Sequence, residues 1–105
     1  MFAMTTQQMM EKAISCELEN ACNTYGKTYN SFHEGYAVLL EEIEEAETNM
    51  KDILELNKEL WEDVKADNDT EIKADARRIS FYAYYLAMEA VQVAAVCKKI
   101  IGEGL

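Results

Sequence analysis

The chain contains no proline, and its 105 residues include only four glycines. Proline and glycine are the residues that most often end helices and build tight turns, so this chain has few places at which it can reverse direction. Half of its residues are hydrophobic, which is enough for a modest core. The length suits one domain, and we expect residues 1–105 to form a single all-α domain of a few long helices.

The first of three predicted helices covers about residues 5–25. Apolar residues recur there at steps of three and four, which is the spacing of one helix face. Thr5 or Thr6 can cap its start, and Gly26 is well placed to end it. The apolar stripe of this segment is Met10, Ile14, Leu18, Ala21 and Tyr25.

The second predicted helix starts at 31-SFHE-34, where the Ser31 hydroxyl and the Glu34 carboxylate match a capping box, and it runs to about residue 66. At about 1.5 Å per residue, an unbroken helix of this length would be on the order of 50 Å long, which exceeds a compact domain of this size. It therefore bends near residues 48–50 or packs on a second subunit. Its predicted core stripe is Tyr36, Leu39, Ile43, Ala46, Met50, Ile53, Leu60 and Val64.

The third predicted helix covers about residues 70–101. The run 67-DNDT-70 supplies a turn and a new N-cap, and Gly102 and Gly104 end the helix. We predict a small antiparallel bundle of three main helices, one of them long, that is completed by dimerisation. The predicted stripe of the third helix is Ile72, Ala76, Ile79, Ala83, Leu86, Ala90, Val93, Cys97 and Ile100 or Ile101.

The net charge of −10 argues against some classes of partner. A nucleic-acid-binding surface needs a basic patch, and anionic membranes repel an acidic protein, so we expect neither partner. A divalent cation, a basic protein, or a nucleotide whose phosphates are screened by metal ions suits this charge. The N-terminus does not resemble a secretion signal, and the sequence shows no apolar run near the roughly 20 residues of a membrane span.

The cysteines Cys16, Cys22 and Cys97 are odd in number and include no C-x-x-C pair. Each lies on or beside an apolar stripe, so we expect buried, reduced thiols in a cytoplasmic protein. The single histidine, His33, is expected at the surface, because it has no second ligand of a metal pattern. Trp61 and the aromatic run 81-FYAYY-85 are expected in the core or the dimer interface, with base stacking by Tyr82 or Tyr85 as the alternative.

Four glutamates lie close together in 41-EEIEE-45. If Ile43 faces the core, steps of 100° per residue place Glu42 and Glu45 on one flank of the helix. On the third helix, with Ala90 facing the core, Glu89 and Gln92 occupy the corresponding flank. Facing flanks would bring together three carboxylates and one amide oxygen, which are the ligands that Mg²⁺ or Mn²⁺ prefers. The alternative is a solvated acidic face.

The segments 33-HEGYAVLLEEIEEAE-47 and 89-EAVQVAAV-96 resemble the MazG-like nucleotide pyrophosphohydrolases, and more narrowly a phage- and prophage-associated branch of that all-α superfamily. The resemblance covers about residues 25–101. It implies a dimer or tetramer that binds Mg²⁺ and hydrolyses nucleoside triphosphates to monophosphate and pyrophosphate. The family carries E-E-x-x-E on one helix and E-x-x-D on the next.

The resemblance implies metal ligands at Glu42, Glu45, Glu89 and Gln92, and catalytic roles for Glu41 and Glu42. The first motif matches in full, but Gln92 stands where the family has aspartate, so the site lacks one negative charge. The competing hypothesis is therefore a catalytically degenerate protein of the same fold, which serves as an oligomeric interaction protein of phage or mobile-element origin. Basic residues that could contact a nucleotide are Arg77, Arg78, Lys98 and Lys99.

Overall fold

A computed structural model describes residues 3–102 of the chain as three α-helices. Helix α1 is Thr6–Tyr25, α2 is Phe32–Lys65 and α3 is Asp69–Ile101. They account for 87% of the described residues, and residues 3–102 contain no strand. The predicted all-α fold with three main helices is therefore confirmed.

The ends of α1 follow the local sequence. The Thr5 hydroxyl accepts from the Gln8 N–H at 3.1 Å, and the Gln8 side chain accepts from the Thr5 N–H at 2.9 Å. Thr5 is therefore the N-cap and forms a capping box with Gln8. Gly26 ends the helix with φ of 91°, a conformation that L side chains rarely adopt, and its N–H donates to the Cys22 carbonyl.

The start of α2 differs in one hydrogen bond from the prediction. The Ser31 hydroxyl accepts from the Glu34 N–H at 3.1 Å, as expected. The Glu34 carboxylate, however, reaches back to Asn30, where it accepts from the backbone N–H at 3.3 Å and from the side-chain amide at 3.0 Å. Helix α2 is continuous from Phe32 to Lys65, so the secondary structure has no break at residues 48–50.

The turn between α2 and α3 uses the polar residues that the sequence provides. Asp67 has φ of 52°, a left-handed conformation that aspartate tolerates better than most residues. Asn68 then caps α3, because its side-chain oxygen accepts from the Glu71 N–H at 3.2 Å. At the other end of α3, Gly102 has φ of 82°, whereas Gly104 lies outside the described residues.

The described helices form two compact units. The first contains α1, α2 as far as Ile43, and α3 from Glu89 onward; its buried apolar residues include Leu18 and Ala95. The second, Glu44–Met88, contains the rest of α2 and α3 and the turn that joins them. The assignment of the chain to one domain stays a prediction.

The buried face of α2 is displaced by one residue from much of the predicted stripe. Ile43 is 45% exposed, whereas its neighbour Glu42 is half-buried. The less exposed positions alternate in steps of four and three, a 3.5-residue repeat typical of helices packed along their length. This row is Gly35, Leu39, Glu42, Ala46, Asn49, Ile53, Leu56, Leu60 and Asp63, and Val38 and Asp52 beside it are also half-buried.

The buried face of α3 shows the same alternation, so the prediction that Ala90 faces the core is wrong. Ala90 is exposed and Glu89 is half-buried. The predicted stripe took the more apolar of two adjacent residues as the buried one, but polar residues occupy several inward positions. Between Asp75 and Glu89 the inward row is Asp75, Ile79, Tyr82, Leu86 and Glu89. Every residue from 91 to 100 is half-buried or buried, and Ala95 and Lys99 are the most buried of them.

The expectation that the three thiols are buried is wrong. Cys16 is exposed, while Cys22 and Cys97 are half-buried, and all three are free thiols. Trp61 does not lie in a core of the single chain, because most of its side chain is exposed, and its place in a dimer interface stays a prediction. Such surfaces stay exposed within one chain because a helix pair can cover only one face of each helix.

Gly35 allows a close approach between segments of the first unit. A Cβ atom at this position would lie 3.0 Å from Ile100 Cγ1 and 3.2 Å from Tyr29 Cδ2. We expect Gly35→Val to lower the free energy of unfolding by about 2 kcal/mol, because overpacking displaces both neighbours. Urea denaturation measures this loss. The control Ala37→Val changes an exposed position of the same helix, and an equal loss in both variants would contradict the prediction.

Candidate metal centre

Glu42 on α2 and Glu89 on α3 meet in the first unit. Both residues are half-buried, and one carboxylate oxygen of each lies within 4.8 Å of the other. Each occupies a position of the inward row of its helix, where an aliphatic residue would be usual. Two carboxylates held this close repel each other unless a proton, a hydrogen-bond donor or a cation lies between them.

Gln92 lies one helical turn after Glu89 and completes the group. With its amide nitrogen turned inward, Gln92 donates to Glu42 Oε2 at 2.6 Å and to Glu89 Oε2 at 3.1 Å. With its amide oxygen turned inward instead, three oxygen atoms from two helices converge on one point. The first orientation satisfies the carboxylates without a cation, and the second offers ligands to a hard dication such as Mg²⁺ or Mn²⁺.

Glu41 and Glu45 are the other two predicted site residues. Glu41 is exposed and lines a cleft beside Glu42. Glu45 is exposed and lies one turn beyond Glu42 on α2, where the second unit begins. Its role as a metal ligand stays a prediction.

A cleft of about 470 Å³ opens beside Glu42 and Gln92 in the first unit. Its size falls within the usual range of small-molecule sites. Acidic, aromatic and apolar side chains line it, together with one lysine. The lining residues that bear on function are Tyr25, Tyr29, Glu41, Glu42, Gln92 and Lys99.

Lys99 is the one of the four basic candidates that lines this cleft, and the sequence alone did not single it out. It is only 3% exposed, and its Nζ lies 4.3 Å from the centroid of the Tyr29 ring, a cation–π distance. Lys99 follows Gln92 by seven residues, which places both on one face of α3. This spacing is the signal that could have identified it.

The Tyr29 hydroxyl belongs to the same cleft. Burial raises the pKa of Tyr29 above its ordinary value, and the negative charges of Glu34 and Glu42 raise it further. The phenol is therefore protonated at neutral pH. A protonated phenol can donate a hydrogen bond to an anionic group in the cleft.

The remaining candidates lie elsewhere. Arg78 donates to Asp75 Oδ1 at 3.0 Å in the second unit, and Arg77 is exposed. His33 is exposed, as predicted. Of the residues 81–85, only Tyr82 is half-buried, so this aromatic run does not form a core.

Helix α3 has the length and apolar composition of a membrane-spanning helix, with a mean hydropathy of 1.3 in its most apolar stretch. This stretch differs from the expectation that no apolar segment approaches the length of a membrane span. The finding is weak evidence for a membrane, because core helices of soluble proteins pass the same test.

The donor set fits a hard cation, because carboxylate and amide oxygens are the ligands that Mg²⁺ and Mn²⁺ prefer. Two carboxylates and one neutral amide balance the charge of one dication. In comparisons with family models, curated proteins and solved structures, none matches this chain.

Proposed function

We propose that the protein is a Mg²⁺- or Mn²⁺-dependent nucleoside triphosphate pyrophosphohydrolase of the MazG-like type, from the phage- and prophage-associated branch. One observation carries the proposal: two half-buried carboxylates on different helices, Glu42 and Glu89, meet at Gln92 beside a cleft that also contains Lys99. Half-buried carboxylate pairs are costly in a small protein, which favours a functional reason for their presence.

The residues of the cleft have complementary roles in this proposal. Glu42, Glu89 and Gln92 hold the cation, which supplies charge neutralisation for a triphosphate and lowers the pKa of bound water. Lys99 and the protonated Tyr29 hydroxyl provide positive charge and a hydrogen-bond donor for phosphate oxygens. Glu41, exposed in the same cleft, is the candidate general base.

The second candidate function is non-enzymatic: the same helical scaffold serves as an oligomeric interaction protein. The specific observation that favours it is the Gln92 amide, which satisfies both carboxylates by itself when its nitrogen faces them. A protein of this kind would bind no dication between Glu42 and Glu89. The two candidates therefore differ in one measurable property.

Calorimetric titration with Mn²⁺ tests the metal site. We expect the wild type to bind one ion here, and Glu42→Gln and Glu89→Gln each to weaken that binding by tenfold or more, because each removes a ligand charge, and about 1.4 kcal/mol corresponds to tenfold. The control Glu44→Gln removes one charge from an exposed position of α2. Equal affinities in all four proteins would reject the site.

Pyrophosphate release from a panel of nucleoside triphosphates then tests turnover in the same four proteins. We expect Mn²⁺-dependent release by the wild type and by Glu44→Gln. Metal binding without pyrophosphate release would confirm the cation site and reject the hydrolase activity.

We also propose that the cytoplasmic form is a homodimer or a larger homo-oligomer. A second apolar row, exposed in the single chain, follows α2 within the second unit at steps of four, seven and three: Met50, Leu54, Trp61 and Val64. Helix α3 exposes Phe81, Tyr84, Tyr85 and Met88 in the same unit. Rows with this spacing are typical of helices that pack on further helices.

A further inference from the structure

A second acidic cluster lies in the second unit, apart from the residues of the proposed active site. Asp63 is in the last turn of α2, and Glu71 and Asp75 lie one turn apart near the start of α3. One carboxylate oxygen from each residue lies within 4.8 Å of the others. The three residues therefore share one small volume beside the turn that joins the two helices.

Asp75 is the member that makes this cluster unusual. It is 1% exposed, and Arg78 donates to its Oδ1 at 3.0 Å. Its Oδ2 is also buried, and it accepts no hydrogen bond from any donor among residues 3–102. Leaving a charged oxygen buried and unsatisfied is costly, so a proton or a cation is expected at this atom.

A shared proton is the first way to satisfy Asp75. Asp63 can form a hydrogen bond with Asp75 if one of the two carboxyls is protonated. This hydrogen bond, partial burial and the negative charges of Asp75, Glu71 and Glu59 raise the pKa of Asp63 to about 6. A proton shared by Asp63 and Asp75 would satisfy Asp75 Oδ2 without a cation, and it is the competing explanation for this cluster.

A cation is the second way, and it offsets the charge of all three carboxylates. Three carboxylates facing the single charge of Arg78 leave two negative charges in excess, which one dication balances. Oxygen ligands from carboxylates select hard ions. We propose that Asp63, Glu71 and Asp75 together bind one hard divalent cation, Ca²⁺ or Mg²⁺, and that this ion ties the end of α2 to the start of α3.

The cation site is tested in full-length protein that carries Glu89→Gln, which weakens the other candidate site. Thermal unfolding is followed by circular dichroism at pH 7.5, with chelator or with millimolar Ca²⁺ or Mg²⁺. We expect a melting temperature that rises by several degrees with one of these ions. Adding Asp63→Asn or Glu71→Gln abolishes the rise, whereas adding Asp52→Asn, elsewhere on α2, preserves it.

Glu71 is exposed, so its substitution leaves the fold intact and keeps the test decisive even if Asp63→Asn unfolds the chain. The proposal is overturned if neither ion shifts unfolding in the Glu89→Gln protein, or if the shift persists in Glu71→Gln. Stabilisation on acidification alone would identify a proton-sharing cluster and would equally overturn it. Because Glu89→Gln is present throughout, these outcomes are independent of the proposed hydrolase activity.

Discussion

Replacing Gln92 by glutamate is expected to tighten Mn²⁺ binding at the Glu42–Glu89 site by about tenfold or more. The amide nitrogen, when turned inward, lies 2.6 Å from Glu42 Oε2 and 3.1 Å from Glu89 Oε2. Glutamate has nearly the same shape, so its carboxylate adds a third negative charge at the same place. A gain of about 1.4 kcal/mol in binding corresponds to tenfold in the dissociation constant.

The same substitution is expected to destabilise the protein in chelator. Three neighbouring carboxylates repel one another, and the hydrogen bonds from the amide are lost. Calorimetry measures the affinity, and thermal unfolding with and without Mn²⁺ measures the dependence of stability on the ion. The uncharged control Gln92→Leu removes the ligand oxygen and should weaken binding. An unchanged affinity in Gln92→Glu would place residue 92 outside the metal shell.

Introducing charged residues into the exposed apolar row of α2 in the second unit is expected to convert the proposed oligomer to a monomer. Trp61 is 59% exposed, and Phe81 on α3 is 56% exposed. Burying such side chains against a partner is worth on the order of 2 kcal/mol each. The double substitution Leu54→Glu with Trp61→Glu places two charges on the row of α2, so a dimer that buries this row should dissociate.

Light scattering coupled to size-exclusion chromatography measures the mass directly, since one chain has a mass of 12.0 kDa. The control Lys58→Glu changes the net charge by the same −2 at an exposed position of α2 beside the row. It should leave the oligomer intact, because isolated surface ion pairs contribute little. A wild-type mass of one chain would refute the dimer. Flotation of the wild type with neutral lipid vesicles would instead assign the apolar surface of α3 to a membrane.

The helix ends could be read from the sequence with good accuracy. The bonds that set them join residues three or four apart, such as Ser31 with Glu34 and Asn68 with Glu71. Gly26 and Gly102 adopt the positive φ angles that the sequence led us to expect at helix ends. These features depend on neighbours in the chain, so the local sequence contains the information that determines them.

The local sequence does not predict which face of α2 or of α3 is buried. Ile43 is more apolar than Glu42, and Ala90 more apolar than Glu89, yet the glutamates face inward in both helices. Which of two adjacent positions is buried depends on the 3.5-residue repeat of packed helices, and the preference of one side chain does not decide it. The prediction that Glu42, Glu45, Glu89 and Gln92 lie together rested on the wrong orientation of both helices, although Glu42, Glu89 and Gln92 do meet.

The sequence by itself determined that this chain forms three long helices, because it lacks the residues that interrupt helices and provides caps at the required positions. Only the tertiary structure decided which polar residues are withdrawn from water. Two contacts illustrate this, because each joins different segments of the chain. Lys99 lies over the Tyr29 ring, and Asp75 lies beside Asp63. Such contacts arise when helices pack, and packing selects between faces that differ little in apolar character.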